Sequence, residues 1–241
     1  KGQKIYLVSS DLTRDSLNSS FIYEINNNIL FNLVKKDMEI YADDGRLSFY
    51  VEEVYNNHIT LISKCDGILH ECKGINIPKS FFYDQELNDK DKFFLDFCCL
   101  NKIDFVGISF VDNAEYLKNF QKYIGKRHPK TIAKIENASA INNLSEILKI
   151  SYAIMIDRGD LSVETNTSSI GILQKDILIE SNKFGIPVIV ATEMLHSMQE
   201  SIHPTKAECN DITNSVLDGA SCLMLSGETA VGKYPYESIE T

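Results

Sequence analysis

Apolar and polar positions follow two different rhythms along this chain. Up to about residue 88, short β-rich runs recur at Ile5–Ser9, Ile29–Val34, Glu39–Ala42, Ser48–Val54 and His58–Ser63. The last two flank Tyr55-Asn56-Asn57, which predicts a tight hairpin because asparagine tolerates positive φ. Asp43-Asp44-Gly45 predicts another turn, and a small β-barrel or sandwich follows. From about residue 89, helical periodicity alternates with short apolar strands at Phe105–Phe110, Thr131–Ile135, Ala153–Ile156, Pro187–Ala191 and Cys222–Leu225. Residues 138–150 place Ile141, Leu144, Ile147 and Leu148 on one helical face behind Asn137 as N-cap. Thr205-Lys206-Ala207-Glu208 is a capping box after Pro204, and Gly219 suits a helix C-terminus. Five regularly spaced strand–helix units predict a parallel sheet of (β/α) barrel type, with a doubly wound open sheet as the alternative.

Composition narrows the function classes. The 241 residues are 44% hydrophobic and 24% charged, enough for a sizeable core in one large domain or two small ones. A formal net charge of -10 argues against nucleic acid or an anionic membrane as main partner. Anionic small molecules stay open, because local groups bind phosphates. No apolar run of 18 residues is present, so no membrane span is predicted. Six cysteines without a C-x-x-C pair read as reduced, mostly buried thiols in an intracellular compartment. The five histidines show no metal-binding spacing.

In a (β/α) barrel, chemistry sits at the C-terminal strand ends. Lys134 and Glu136, two apart at the end of the second strand, face one side together. A Lys–Glu pair inside a barrel is costly without a further partner, which favours a site over a solvated ion pair. The third strand runs into Asp157-Arg158-Gly159-Asp160, where glycine lets backbone N–H groups approach a ligand. Taken alone, Arg-Gly-Asp is a turn. Beside Lys134 and Glu136, Asp160 completes a two-carboxylate oxygen site suited to Mg²⁺ or Mn²⁺, with Lys134 placed for a phosphoryl group or an enolate. Thr192 ends the fourth strand, as a proton relay or an N-cap. Ser226-Gly227-Glu228-Thr229 ends the fifth, as a phosphate or water contact or a helix start. Lys73 beside Gly74 is a weak signal in a loop of the β-rich half.

Together these segments resemble the pyruvate kinase family over the whole chain. Tyr41-Ala42-Asp43-Asp44-Gly45 is similar to its D-D-G segment, and Lys73 to Pro78 resembles K-G-V-N-L-P. Thr131 to Asn137 resembles I-x-K-I-E-N, the most diagnostic stretch, and Met155 to Glu164 resembles M-V-A-R-G-D-L-G-V-E. Pro187 to Met198, Pro204 to Glu208 and Val216 to Thr229 resemble three further motifs in order. Departures include Asp157 where the family has alanine, Ser162 for glycine and Glu193 for glutamine. Asp112 stands where an arginine is common, and Cys72 replaces a lysine.

The resemblance implies an α/β fold: part of a TIM (β/α)8 barrel at residues 89–241, with an inserted small all-β barrel lid domain at 1–88. It implies a kinase, or phosphotransferase, making pyruvate and ATP from phosphoenolpyruvate and ADP in glycolysis, with Mg²⁺ (or Mn²⁺) and K⁺. Lys134, Thr192 and Ser226 carry over as catalytic. Arg158, Gly159, Asp160 and Thr192 carry over as substrate-binding, Lys73 as nucleotide-binding, and Glu136 and Asp160 as metal ligands. The match also implies a fragment, since the family's first three barrel strands, its K⁺ ligands and its C-terminal domain find no counterpart here. The isolated fragment is then expected to be inactive. The full-length parent is expected to be a homotetramer in the cytoplasm, or in an organelle such as the plastid. A degenerate homologue that regulates by binding metal or nucleotide without turnover is the alternative, supported by Asp112, Asp157 and Glu193. A lyase or aldolase barrel is disfavoured by the lid-domain match.

Overall fold

The computed structural model describes residues 1–9, 21–25, 30–43, 45–70, 73–77, 87–126 and 128–241. The sequence readings at Ile29, Asp44, Cys72 and Pro78 lie outside these residues. The chain forms two compact units, Lys1–Phe81 and Phe82–Thr241.

The first unit contains β1 (Lys4–Ser9), β2 (Ile22–Ile25), α1 (Leu30–Leu33), β3 (Glu39–Ala42), β4 (Leu47–Val54), β5 (His58–Ser63) and β6 (Ile75–Asn76). Its six strands form one sheet in the order β2-β1-β5-β4-β3-β6, antiparallel except for the β1–β2 pair. Alternation supplies the inner face: Leu47, Phe49 and Val51 of β4 are buried between less buried neighbours. They pack with Ile40, Ile59, Leu61 and Ile77. The expected strand over Ile29–Val34 is instead the single helical turn α1, with Leu30 and Phe31 buried. A stretch this short, Leu-Phe-Asn-Leu, carries no decisive period, and packing chose the helix. The hairpin at residues 55–57 closes through Tyr55 N–H donating to His58 O at 2.9 Å. Neither asparagine there takes positive φ. β2 and β6 went unforeseen.

The second unit alternates helix and strand: α2 (Asp89–Leu100), β7 (Phe105–Ile108), α3 (Ala114–Ile124), β8 (Lys130–Ile135), α4 (Ala138–Asn142), α5 (Leu144–Leu148), β9 (Ala153–Asp157), α6 (Arg158–Glu164) and α7 (Ile170–Phe184). It continues with β10 (Val188–Ala191), α8 (Lys206–Leu217), β11 (Cys222–Met224), α9 (Gly227–Ala230) and α10 (Pro235–Glu240). The five strands are all parallel and lie in sequential order, β7 to β11. That order has no reversal, whereas a doubly wound sheet reverses at a switch point. Ile154 and Ile156 of the central β9 are fully buried, with Ile135, Leu117, Ile147, Leu148 and Ile177 around them. Each fully buried aliphatic side chain of this kind contributes about 1.5–3 kcal/mol.

Local rules set the element ends. Asn88, Asn113 and Asn137 each cap a helix by accepting an N–H three residues on. Thr205 and Glu208 form the capping box of α8. The helix expected over residues 138–150 is broken at Asn143, whose side-chain amide donates to Asp112 O at 2.9 Å. Nor are the cysteines mostly buried: Cys209 and Cys222 are exposed, and Cys65, Cys98 and Cys99 are half-buried. Cys98 and Cys99 lie on α2, which leaves Phe93, Phe94, Phe97 and Leu100 exposed, and Cys222 lies on an edge strand. Among the described residues no helix is long and apolar enough to cross a membrane.

Candidate active site

The C-terminal ends of β8, β9 and β10 bring the site together. Register fixes the neighbours: Ile135 pairs with Ile156, and Asp157 pairs with Ala191. Residues just past those pairs, Glu136 and Thr192, therefore flank Asp157. Lys134 extends its ammonium along the sheet edge to Glu136 Oε1 at 2.5 Å and Asp157 Oδ2 at 3.0 Å. The Ser109 hydroxyl lies 3.4 Å from the same ammonium.

Glu136 is wholly buried. One oxygen, Oε2, accepts the Phe110 N–H at 2.5 Å. Phe110 takes φ 51 to aim that N–H, a conformation unusual for a bulky residue. The other oxygen, Oε1, has the ammonium beside it but no aligned hydrogen bond. Burial pushes the Glu136 carboxyl up to about 7, against Lys134 and the Phe110 N–H, which favour the carboxylate. Burial alone would lower the Lys134 ammonium, but Glu136 and Asp157 outweigh it and hold its pKa above the ordinary lysine value.

Asp160 sits in the first turn of α6. Ligand oxygens of Glu136, Asp157 and Asp160 all lie within 4.8 Å of one another. The proximity expected of Glu136 and Asp160 is met, and Asp157 joins them.

Thr192 is no N-cap: the 3-10 turn that follows runs over His196–Gln199 and starts after Leu195. Thr192 and Glu193 instead take φ 68 and φ 54. Left-handed backbone at a β-branched residue costs about 1–3 kcal/mol and persists where its surroundings enforce it, most often at functional sites. The Thr192 hydroxyl accepts the Gly159 N–H at 2.9 Å and lies 2.6 Å from Ala191 O and 3.3 Å from Asp157 Oδ1.

Arg158, expected among the substrate-binding side chains, is turned inward and buried. It donates to Thr192 O (2.7 and 3.1 Å), Glu193 O (3.0 Å), Gln174 Oε1 (3.3 Å) and Asp211 Oδ2 (2.6 Å). Asp211 and Gln174 come from α8 and α7, so this guanidinium ties two helices to the strained Thr192–Glu193 backbone. It is a positioning residue in this geometry.

Ser226 opens α9 without a side-chain capping bond, and its buried Oγ has no hydrogen-bond partner among the described residues. Sequence reasoning passed over Glu228, which is 1% exposed and accepts Leu195 N–H at 3.0 Å and Ser226 N–H at 2.8 Å. It braces the loops after β10 and β11 against each other. A carboxylate just past an apolar strand run was the available signal. In the first unit, Lys73 pairs with Asp43 at 2.6 Å.

The family model for "Pyruvate kinase, barrel domain" matches residues 1–239. Among curated relatives, the pyruvate kinase of Thermococcus litoralis is 37% identical over 100% of this chain and 50% of its own length. That of Borreliella burgdorferi is 39% identical over 86% of this chain and 44% of its own length, and that of Thermotoga maritima 37% over 95% and 49%. The chain thus spans about half the length of the curated relatives it matches.

Proposed function

Because the chain belongs to the pyruvate kinase family, we propose that the protein carrying it transfers the phosphoryl group of phosphoenolpyruvate to ADP, giving pyruvate and ATP. The bond from phosphorus to the enol oxygen breaks, the phosphoryl group passes to ADP, and the enolate takes a proton at its methylene carbon. The observation that carries the reading is Lys134: an ammonium held 2.5 Å and 3.0 Å from two carboxylates at adjacent parallel strand ends. Phosphoryl transfer relies on positioning and charge neutralisation, and a preorganised cation at a strand end supplies both.

The donor set fits a hard divalent cation. Glu136 and Asp160 offer carboxylate oxygens within reach of one ion, and Glu136 is wholly buried, where a hard cation would offset its charge. Mg²⁺ or Mn²⁺ bound there would neutralise charge on the phosphoryl oxygens. K⁺ is proposed from family membership alone. Lys134 stabilises the transferring group. Thr192, fixed by Arg158 beneath its backbone, stands beside the enolate, with Ser226 as a further hydroxyl. Gly159 and Asp160 are the proposed contacts of the substrate carboxylate, and Lys73 is the proposed nucleotide contact. In architecture, the sequential parallel strands support part of a (β/α)8 barrel, and the β-rich unit is proposed as its inserted lid domain. A homotetramer is proposed for the whole protein on family grounds.

One observation favours the non-catalytic alternative: Asp157 already pairs with Lys134. Assaying pyruvate formation separates the readings. Expected is ADP-dependent pyruvate release by the full-length protein, abolished by chelating divalent metal. Nucleotide or metal binding without any pyruvate would establish the regulatory homologue instead.

A further inference from the structure

Asp157 is the one carboxylate of the cluster that the family resemblance does not supply, since alanine is usual at its position. It closes β9, its side chain is 11% exposed, and three features of the site converge on it. Oδ2 lies 3.0 Å from the Lys134 ammonium, and Oδ1 lies 3.3 Å from the Thr192 hydroxyl. Its ligand oxygen falls within 4.8 Å of those of Glu136 and Asp160. Beside it, Glu136 is wholly buried, and its Oε1 shares the Lys134 ammonium with Asp157 at 2.5 Å.

We propose that Asp157 is a third carboxylate ligand of the divalent cation, and that it exchanges affinity for the phosphoryl anion for affinity for the metal. The proposal rests on the metal site inferred above for Glu136 and Asp160. Charge explains the exchange. With two carboxylates, a divalent cation and Lys134, the mouth carries net positive charge and draws an anion. With Asp157 added, the same group is neutral once the cation is bound. Without cation, the Asp157 carboxylate occupies the Lys134 ammonium that an incoming phosphoryl group would need. Oxygen sites for divalent cations gain affinity with each added carboxylate. The Thr192 contact gives the residue a second effect, since the same carboxylate steadies a hydroxyl held on strained backbone.

The experiment measures Mn²⁺ binding to the full-length protein by electron paramagnetic resonance of the free ion. Phosphoenolpyruvate binding is measured by calorimetry, in chelator and without nucleotide. The proteins are the native form, Asp157→Ala, Asp157→Asn and Glu136→Gln. Asp157→Ala should weaken Mn²⁺ about tenfold, in line with one ligand charge removed, and should tighten phosphoenolpyruvate severalfold by leaving Lys134 with one carboxylate partner, Glu136, instead of two. Asp157→Asn keeps the shape and a hydrogen-bonding group for Thr192. It should fold as the native protein does and show both shifts in the same direction. Glu136→Gln should abolish specific Mn²⁺ binding. If Glu136→Gln leaves Mn²⁺ binding intact, the metal site itself is misassigned. If Glu136→Gln removes it while both Asp157 variants bind Mn²⁺ as tightly as the native protein, only the role of Asp157 is overturned. Weaker phosphoenolpyruvate binding in both Asp157 variants would also overturn it.

Discussion

Replacing Arg158 tests whether the strained turn after β10 is held from beneath. Arg158→Leu keeps most of the apolar stem and deletes six donated hydrogen bonds, three of them to the carbonyls of Thr192 and Glu193. A buried acceptor left without its donor costs about 1–3 kcal/mol. Two carbonyls would then cost up to about 6 kcal/mol if neither found water. Thr192 is half-buried and Glu193 exposed, so part of that loss is recovered by hydration. Asp211, 38% exposed on its side chain, rehydrates as well. Release of the left-handed backbone at both residues returns a further ~1–3 kcal/mol each. The net expectation is a destabilisation of about 2 kcal/mol. With a urea dependence of ~2 kcal/mol/M, that lowers the unfolding midpoint by roughly 1 M. Hydrogen exchange followed by mass spectrometry supplies a local readout, because residues 192–195 should lose protection more than β8 does. Arg158→Lys should recover only part of the loss, since one ammonium cannot reach two carbonyls and Asp211 together. A midpoint shift below about 0.3 M in Arg158→Leu, with exchange at residues 192–195 unchanged, would refute the anchoring role.

Glu208 should make stability acid-sensitive. Burial would raise its pKa, but hydrogen bonds from the Ser197 hydroxyl and N–H and from the Thr205 N–H and hydroxyl outweigh it and bring it to about 2. A carboxyl depressed on folding contributes stability present above about pH 4.5 and lost as pH falls toward 2. Discounted for partial exposure, Glu208→Gln should cost roughly 1–2 kcal/mol at pH 7 and almost nothing near pH 2, read from urea midpoints at both pH values. Glu228→Gln should loosen the loops after β10 and β11 together, since one carboxylate accepts from both. Exchange protection at Leu195 and Ser226 should fall in parallel, and protection unchanged at either would break the link. The isolated 241-residue chain should self-associate, because among the described residues β7 and β11 each have one neighbour in their sheet while Phe105, Leu217 and Val231 are exposed. Light scattering that finds a folded monomer would contradict this, as would pyruvate formation by that chain alone.

Much of the architecture was legible because its determinants are local. Apolar runs bounded by turn residues marked all five parallel strands, and Asn137 and the Thr205–Glu208 pair marked helix starts where the backbone needed partners. The short Leu30–Leu33 turn was misread, since three apolar residues in four fit either period. The helix after Asn137 broke because the Asn143 amide found the Asp112 carbonyl, 31 residues distant in sequence. The site followed the same division. Lys134 and Glu136 could be paired from their spacing, and Asp160 was placed beside them correctly. Arg158 could not be read as an anchor, because its carboxylate partner lies 53 residues on. The left-handed Thr192 was equally hidden, since β-branched residues seldom adopt positive φ and long-range contacts enforce it here. Asp157 was visible as an unexpected negative charge, but its place among Lys134, Thr192 and the carboxylates required the register of β8, β9 and β10.

Turnover of phosphoenolpyruvate by the full-length protein carrying Lys134→Met tests phosphoryl transfer at this strand end most directly. Methionine keeps the apolar stem and removes the charge. Losing one preorganised electrostatic contact costs about 3–4 kcal/mol, so ADP-dependent pyruvate formation should fall ~10²–10³-fold. The unfolding midpoint should stay near the native value, because the paired carboxylates can still bind cation. Turnover equal to that of the native protein would contradict the account and reduce Lys134 to a strand-end ion pair.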